Sequence, residues 1–423
     1  MPGTTISEKD TLAAMAASGL RLVGFTRGNP IEYRVGDEID FVFVLMDPAG
    51  VASGTDLKLV WRLEGDDGTV AADACPISLC HPATVRTSLK RAGFVHVMAS
   101  VSLSVEKTEV PEALSFEGGA GADIGEIRPA ITKPDDFDAY WARQRALLDA
   151  VPLEVERHHY IGAFFPDGTR IPDSLRIYTV KIACAGPNPV TGFLAVPKGE
   201  GGYPARVIFD GYSKEPKICH RMMTPGVITF HVNAHGYELF RDEEYYAGFF
   251  AQFEKLDMYG VSPVENADPD TAYFRSMALR AMRAFDYLRT LPEWNGRDLI
   301  ATGGSQGGLQ AIWSASLVPE INRCEPSITW CCNLAGAEID GRLPGWHPVH
   351  VRGLDYFDPV FHAARIGGGC FVDMQRIGLG DYTCPPSGIT AAYNSISAPK
   401  RAAYYQNSTH MYVPPEPGIF MRF

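Results

Sequence analysis

Residues 302–308 read Thr-Gly-Gly-Ser-Gln-Gly-Gly, four glycines packed around one serine hydroxyl. The apolar run 298–304 before Ser305 has the look of a strand, and 309–317 after it that of a helix, so the serine falls on a sharp strand-to-helix corner. At such a corner the strand and helix backbones approach too closely for side chains two residues before and two after the serine, the positions held by Gly303 and Gly307. The spacing predicts a hydroxyl thrust out at the edge of a sheet, with the N–H of Gln306 turned toward a developing oxyanion. A phosphate cradle is the competing use of a glycine-rich turn. The Lys-Ser/Thr of a P-loop and the GxGxxG spacing are both missing here.

A serine hydroxyl attacks only when a base takes its proton, and an imidazole works as that base when a carboxylate holds its tautomer. In sheets with a nucleophile elbow the chain order is serine, acid, histidine. His410 is the one histidine beyond residue 362, and it sits in a loop after the strand candidate 401–407. Asp381 follows the strand candidate 370–378; its competitors are Asp373, inside that strand, and Asp358, at the strand's opposite end. A second oxyanion donor is expected from the loop in Val-Ile-Phe-Asp-Gly-Tyr-Ser, where Gly211 lets the chain turn close and the N–H of Tyr212 points inward. His231 and His235 are four apart, but after a strand that spacing is too long for one metal, and the pattern calls for no metal and no cofactor.

These residues need a scaffold, and the 423-residue chain is long enough for two domains. Residues 20–115 alternate apolar and polar in short runs between Gly/Asp turns, which predicts an Ig-like β-sandwich over residues 1–120, with 115–129 as a glycine-rich linker. From 121 to 423 apolar strands alternate with helices, the pattern of a mostly parallel α/β sheet covered on both faces. Its strand candidates include 327–333. The aromatic-rich stretch 238–270 reads as a lid-like helical insertion, in which Tyr245, Tyr246, Phe249 and Phe253 either pack on the body or offer a platform to a ligand ring. Trp346, His347 and His350 form a second candidate border to the pocket. A net charge of −12 with no basic run excludes a nucleic-acid partner, and no apolar stretch reaches membrane-spanning length. Nine cysteines without CxxC spacing suggest reduced thiols in a cytoplasm, or a secreted or periplasmic protein had a leader been trimmed.

Taken together, 302–308, the Gly-Leu-Gly-Asp-Tyr-Thr-Cys-Pro-Pro segment at 378–386, the stretch 356–366, the stretch 133–154 that opens with the helix candidate 133–150, and the 209–213 loop resemble the acetyl xylan esterase and cephalosporin C deacetylase family of α/β-hydrolases over about residues 130–415. The resemblance implies an acetyl esterase acting on carbohydrate or similar polar alcohols through an acyl-enzyme, with Ser305, Asp381 and His410 as the triad and the backbone of Tyr212 and Gln306 as the oxyanion hole. It also implies a homo-oligomer. Where familiar members carry Arg-Gly-Gln this chain has 233–237, Asn-Ala-His-Gly-Tyr, and their His-Gly-Tyr is Asp210-Gly211-Tyr212; compact members lack the front β-domain. Two other outcomes fit the same residues: a related hydrolase such as a peptidase, or a carbohydrate-binding relative without turnover.

Overall fold

The structure, a computed structural model, describes residues 7–52, 55–103, 110–252, 254–255 and 258–423. After a short helix α1 (Glu8–Ala17), seven strands follow: β1 (Arg21–Thr26), β2 (Ile39–Met46), β3 (Leu57–Gly65), β4 (Val70–Ile77), β5 (Ala83–Thr87), β6 (Gly93–Ser102) and β7 (Ser115–Ala122). They form two antiparallel sheets, β1-β2-β5 and β4-β3-β6-β7. Period-2 alternation turns Leu22, Phe41, Phe43, Leu59, Leu63, Val97 and Phe116 into one shared core, where Phe43 meets Phe116 edge-on with ring centroids 5.3 Å apart.

The expected linker at 115–129 is instead largely β7. Its glycines serve close approach rather than flexibility: a Cβ on Gly119 would collide with the Val95 carbonyl and stand 2.8 Å from that of Leu379. The Gln406 side chain grips this bare backbone from both sides, accepting from Gly119 N at 2.9 Å and donating to Gly119 O at 2.8 Å.

The rest of the chain builds one ten-stranded sheet. In chain order come α2 (Phe137–Asp149), β8 (Val155–His159), β9 (Leu175–Ile182), β10 (Val190–Pro197), β11 (Tyr203–Phe209), β12 (Ile228–Val232), α3 (Glu243–Ala251), the hairpin β13 (Glu254–Lys255) and β14 (Met258–Tyr259), α4 (Pro263–Asn266), α5 (Tyr273–Leu288), β15 (Trp294–Gly304) and α6 (Gln306–Leu317). Then follow β16 (Arg323–Ser327), α7 (Gly336–Asp340), α8 (Pro359–Ala363), β17 (Phe371–Gly378), α9 (Pro386–Ser395), β18 (Lys400–Tyr405) and β19 (Ile419–Arg422). The order is β19-β18-β17-β16-β15-β11-β12-β10-β9-β8, parallel from β12 through β18 and antiparallel at both ends. Strands such as β10 and β12 are buried at every residue, as strands with both faces covered must be. The strand order reverses around β11, so loops after β11, β15, β17 and β18 converge at the carboxyl edge, where such sheets place ligands. No helix among the described residues is long and apolar enough to cross a membrane.

The strand expected at 327–333 lies earlier, at Arg323–Ser327. The apolar run after it turns out of the sheet through left-handed backbone at Ile328, Cys331 and Asn333 (φ 39°, 59° and 57°), because its backbone is spent on the serine corner: Ser305 N donates to Ser327 O at 2.9 Å and Trp330 N to Ser305 O at 3.1 Å. The 238–270 stretch is helical at α3 and in the single turn of α4; α3 is capped by Asp242 and buried through Tyr246, Phe249 and Phe250 against Tyr237, and the β13–β14 hairpin was not anticipated. Phe253 lies outside the described residues.

The β7 contact makes a direct test. Gly119→Ala is expected to lower unfolding stability by about 2–4 kcal/mol, since backbone carbonyls cannot step aside as a side chain would. An unfolding midpoint in urea within experimental error of the parent would show that the close approach carries no weight.

Candidate active site

Ser305 sits between β15 and α6 with φ 56° and ψ −119°, a conformation that side chains rarely adopt. The neighbouring backbones force it. A Cβ on Gly303 would stand 2.6 Å from the Gly307 backbone, and one on Gly307 would strike the Phe209 carbonyl. The hydroxyl residue is 8% exposed, at the mouth of an otherwise buried corner. Gln306 opens α6, so its N–H belongs to the first turn, where backbone donors have no partner within the helix.

Asp381 lies in the loop after β17 and is wholly buried. Its Oδ1 accepts from Thr383 N at 3.1 Å and Cys384 N at 2.9 Å, and its Oδ2 meets His410 Nδ1 at 2.9 Å. With Nδ1–H given to the carboxylate, the imidazole keeps its lone pair on Nε2, the form a general base needs. His410 is in the loop after β18, where Arg376 donates to its carbonyl at 3.0 Å. The competitors have other employment: Asp358 caps α8 and accepts from Asn333 N and Leu334 N, while Asp373 forms a two-pronged pair with Arg401.

Cys384 joins the three sequence-chosen residues. Its Sγ, an Asp381 oxygen and a His410 ring nitrogen all lie within 4.8 Å of one another, and Ser305 stands near enough to act on the thiol's proton affinity. Burial first, then the Asp381 charge, pushes the thiol well above its ordinary pKa. A thiol held protonated is neither a rival nucleophile nor a good metal ligand, so Cys384 stands beside the Asp381–His410 pair as a neutral neighbour. The Cys-Pro-Pro spacing was visible in the sequence, but nothing local said that this thiol would lie beside Asp381 and His410.

The loop after β11 lies over the serine corner, since a Cβ on Gly211 would come within 3.8 Å of Ser305 Cβ. The Tyr212 ring stacks on Tyr259 (3.9 Å between centroids, 7° between planes) and meets the edges of Trp330 and Trp346 at 5.5 and 4.9 Å. Trp330 is buried and Trp346 is 41% exposed, making an aromatic wall that opens to solvent. Of the other suggested border residues, His350 pairs with Asp355 at 2.8 Å and His347 bonds to the Pro348 carbonyl.

Under that loop is a polar knot, buried at Lys217 and His231 and half-buried at Asp210. Asp210 accepts from Lys217 Nζ and contacts His231 Nε2 at 2.8 Å, and His231 Nδ1 accepts from Arg221 N at 3.1 Å. Burial alone would raise the Asp210 pKa, but His231 and Lys217 outweigh it and hold the carboxylate well below its usual range. His235 turns away, to Ser213 O at 2.9 Å and to the Tyr273 hydroxyl, so His231 and His235 share no ligand position.

A β15–α6 serine corner on a parallel sheet, with an aspartate–histidine pair delivered by loops after β17 and β18, defines an α/β-hydrolase. The profile of the acetyl xylan esterase family (AXE1) matches residues 122–338 and 348–417, more than half of the sequence, and the chain belongs to that family. It is 26% identical over 290 residues to acetyl esterase Axe7A of Xylanibacter ruminicola, a match covering 65% of this chain and 63% of the relative's length. The acetyl xylan esterase from Paenibacillus sp. R4 superposes with a TM-score of 0.55 at 25% identity, covering 69% of this chain and 94% of that one. Acetyl xylan esterase 1 from Thermoanaerobacterium sp. JW/SL YS485 gives 0.55 at 22% identity, covering 69% and 93%. The front sheets lie outside the family match.

Burial disfavours charging of four histidines, lowering His220, His235 and His362 to about 3 and His231 to about 4. An unfolded chain protonates them near 6.5, so their contribution to stability is complete above that pH and is lost as pH falls toward 4. Buried Asp358, raised to about 6, acts in the opposite sense below pH 6, as do Asp66 and Asp355, also raised by burial, but they are three groups against four histidines, and Asp210, held well below the usual range, acts with the histidines. The melting temperature is therefore expected to fall steadily between pH 6.5 and pH 4. A melting temperature that holds level or rises across this window would contradict it.

Proposed function

We propose that this chain is a serine esterase that removes short acyl groups, acetyl first, from hydroxyls of a carbohydrate or similar polar alcohol. The observation that carries the reading is the 2.9 Å contact of Asp381 with His410, delivered beside a serine in a strained corner. Ser305 Oγ attacks the ester carbonyl as His410 Nε2 takes its proton; the carbonyl oxygen becomes an oxyanion facing the N–H groups of Tyr212 and Gln306. The tetrahedral adduct collapses, the C–O bond to the alcohol breaks, and the imidazolium protonates the departing alkoxide. Water, deprotonated by His410, then attacks the acyl-enzyme, and acetate leaves as Ser305 regains its proton. The carboxylate of Asp381 steadies the imidazolium at each step. Neither metal nor cofactor is required by this sequence.

The substrate class follows from family membership and from the aromatic wall of Tyr212, Trp330 and Trp346, which suits the apolar face of a sugar ring. In this reading the two front sheets form a β-sandwich domain (residues 1–120) beside a catalytic domain (121–423) in which 238–270 is a lid-like insertion, and the protein assembles as a homo-oligomer.

On p-nitrophenyl acetate, Ser305→Ala is expected to reduce turnover by roughly 10⁴-fold or more. Parent-like turnover in that variant would sink the assignment. Asp381→Asn, which leaves the size of the side chain but spoils the tautomer, is expected to reduce kcat by about 10²- to 10⁴-fold with little change in KM. A change mainly in KM would place Asp381 outside the chemistry.

A further inference from the structure

Tyr259 ends β14 in the 238–270 stretch and is fully buried. Every polar atom it offers is spent on the two segments that carry the Tyr212 and Gln306 N–H groups. Its backbone N donates to Tyr212 Oη at 2.8 Å, and its carbonyl accepts from the same hydroxyl at 3.0 Å. Its ring lies parallel on that of Tyr212. Its own hydroxyl accepts from Ser213 N at 3.2 Å and donates to Gln306 Oε1 at 2.8 Å. These last two bonds fix direction. Because Ser213 N can only donate, the phenolic oxygen accepts from it, and the one phenolic proton goes to Gln306, which sets the amide with its oxygen toward Tyr259. The amide nitrogen of Gln306 has no partner among the described residues, so the Tyr259 bond is the one hydrogen bond holding that side chain there.

We propose that Tyr259 is a positioning residue that couples the loop after β11 to the first turn of α6, fixing the separation of the two oxyanion donors. The inference rests on the esterase reading above. The loop after β11 and the helix α6 leave different strands, and the peptide groups that face the oxyanion must stay in register with each other to within a fraction of an ångström for both to bond one atom. One phenol hydroxyl bonded to both sides supplies that register from the 238–270 stretch. The oxyanion donors gain most from being held in the transition state, so the loss of this tie is felt in kcat rather than in substrate binding.

The test is Tyr259→Phe, which keeps the ring stack and removes the hydroxyl alone. With active sites counted by fluorophosphonate titration, kcat per site on p-nitrophenyl acetate is expected to fall about 10-fold with KM within about twofold, and a trifluoromethyl ketone, whose hemiketal with the serine carries the oxyanion, is expected to bind about 10-fold more weakly. Gln306→Met, which keeps the backbone N–H and removes the acceptor, is expected to show the same loss, and the double variant to show no more than either single one. Per-site kcat within about twofold of the parent in both variants, or losses that multiply in the double variant, would overturn the coupling. Should Tyr259→Phe fail to fold, Gln306→Met carries the test alone through the kcat and inhibitor readouts. Ser305→Ala separates the two levels: if it retains activity the esterase reading fails, whereas an inactive Ser305→Ala beside a normal Tyr259→Phe leaves that reading standing and removes this inference.

Discussion

The site depends on one backbone-on-backbone approach. Strand β15 and helix α6 meet so closely that Gly303 would touch Gly307, and Gly307 the Phe209 carbonyl of the neighbouring strand, if either carried a methyl group. The left-handed turn at Ser305 follows from this, and so does the direction of its side chain. Such strain persists only where surrounding structure over-determines it. Here that structure is visible in the hydrogen bonds of the serine's own peptide groups, one to the end of β16 and one from Trp330 in the turn beyond it. The same turn then gives its buried tryptophan to the aromatic wall, so corner and pocket are built from one segment.

The polar groups around this corner are arranged to be rigid rather than to be strongly stabilising. Burying Asp210, Lys217 and His231 together costs desolvation that their mutual attraction only partly returns, and an apolar replacement of equal volume is often no worse for stability. What such a knot does give is direction, because removing any one partner leaves a charge or donor stranded. Asp210 is the residue just before Gly211 and Tyr212, so the knot sets where that loop leaves β11. Tyr259 fastens the same loop from its far side.

The sequence displayed the serine corner plainly because the elbow is local: seven consecutive residues contain both the serine hydroxyl and the glycines that make room for it. Asp381 and His410 were legible through chain order and the strands ahead of them. Two apolar or glycine-rich stretches misled for a common reason. The 115–129 stretch looks like a linker because glycine usually marks a turn, yet at Gly119 it marks a partner almost 290 residues away, Gln406, which no local pattern reveals. Residues 327–333 look like a strand because isoleucine, tryptophan and cysteine favour one, yet three left-handed residues carry them out of the sheet. Tyr259 and Cys384 gave no signal of their role at all, since each is defined by what long-range folding places beside it.

That long-range placement also explains why the front sheets and the hydrolase sheet share so intimate a seam. Gly380, next to Asp381, lies so close to Glu117 of β7 that a Cβ would strike its carbonyl, and Tyr382, on the other side of Asp381, stacks on His96 of β6 at 3.8 Å. Gln406 and Asn407, which lead into the loop of His410, bond to the backbone of Gly119 and Glu117. One strand pair therefore braces both loops that bring the carboxylate to the imidazole, and Asp66 of the same front sheets reaches Leu343 N, near Trp346, at 3.0 Å. A loop otherwise free to move on its own pays for precise geometry with entropy at every turnover, whereas loops clamped to a sheet edge have given up that freedom on folding. In this chain the loops of Asp381 and His410 are held by residues contributed from the front sheets as well as by the sheet they spring from, so the front part is a structural member of the candidate site and not an appendage to it.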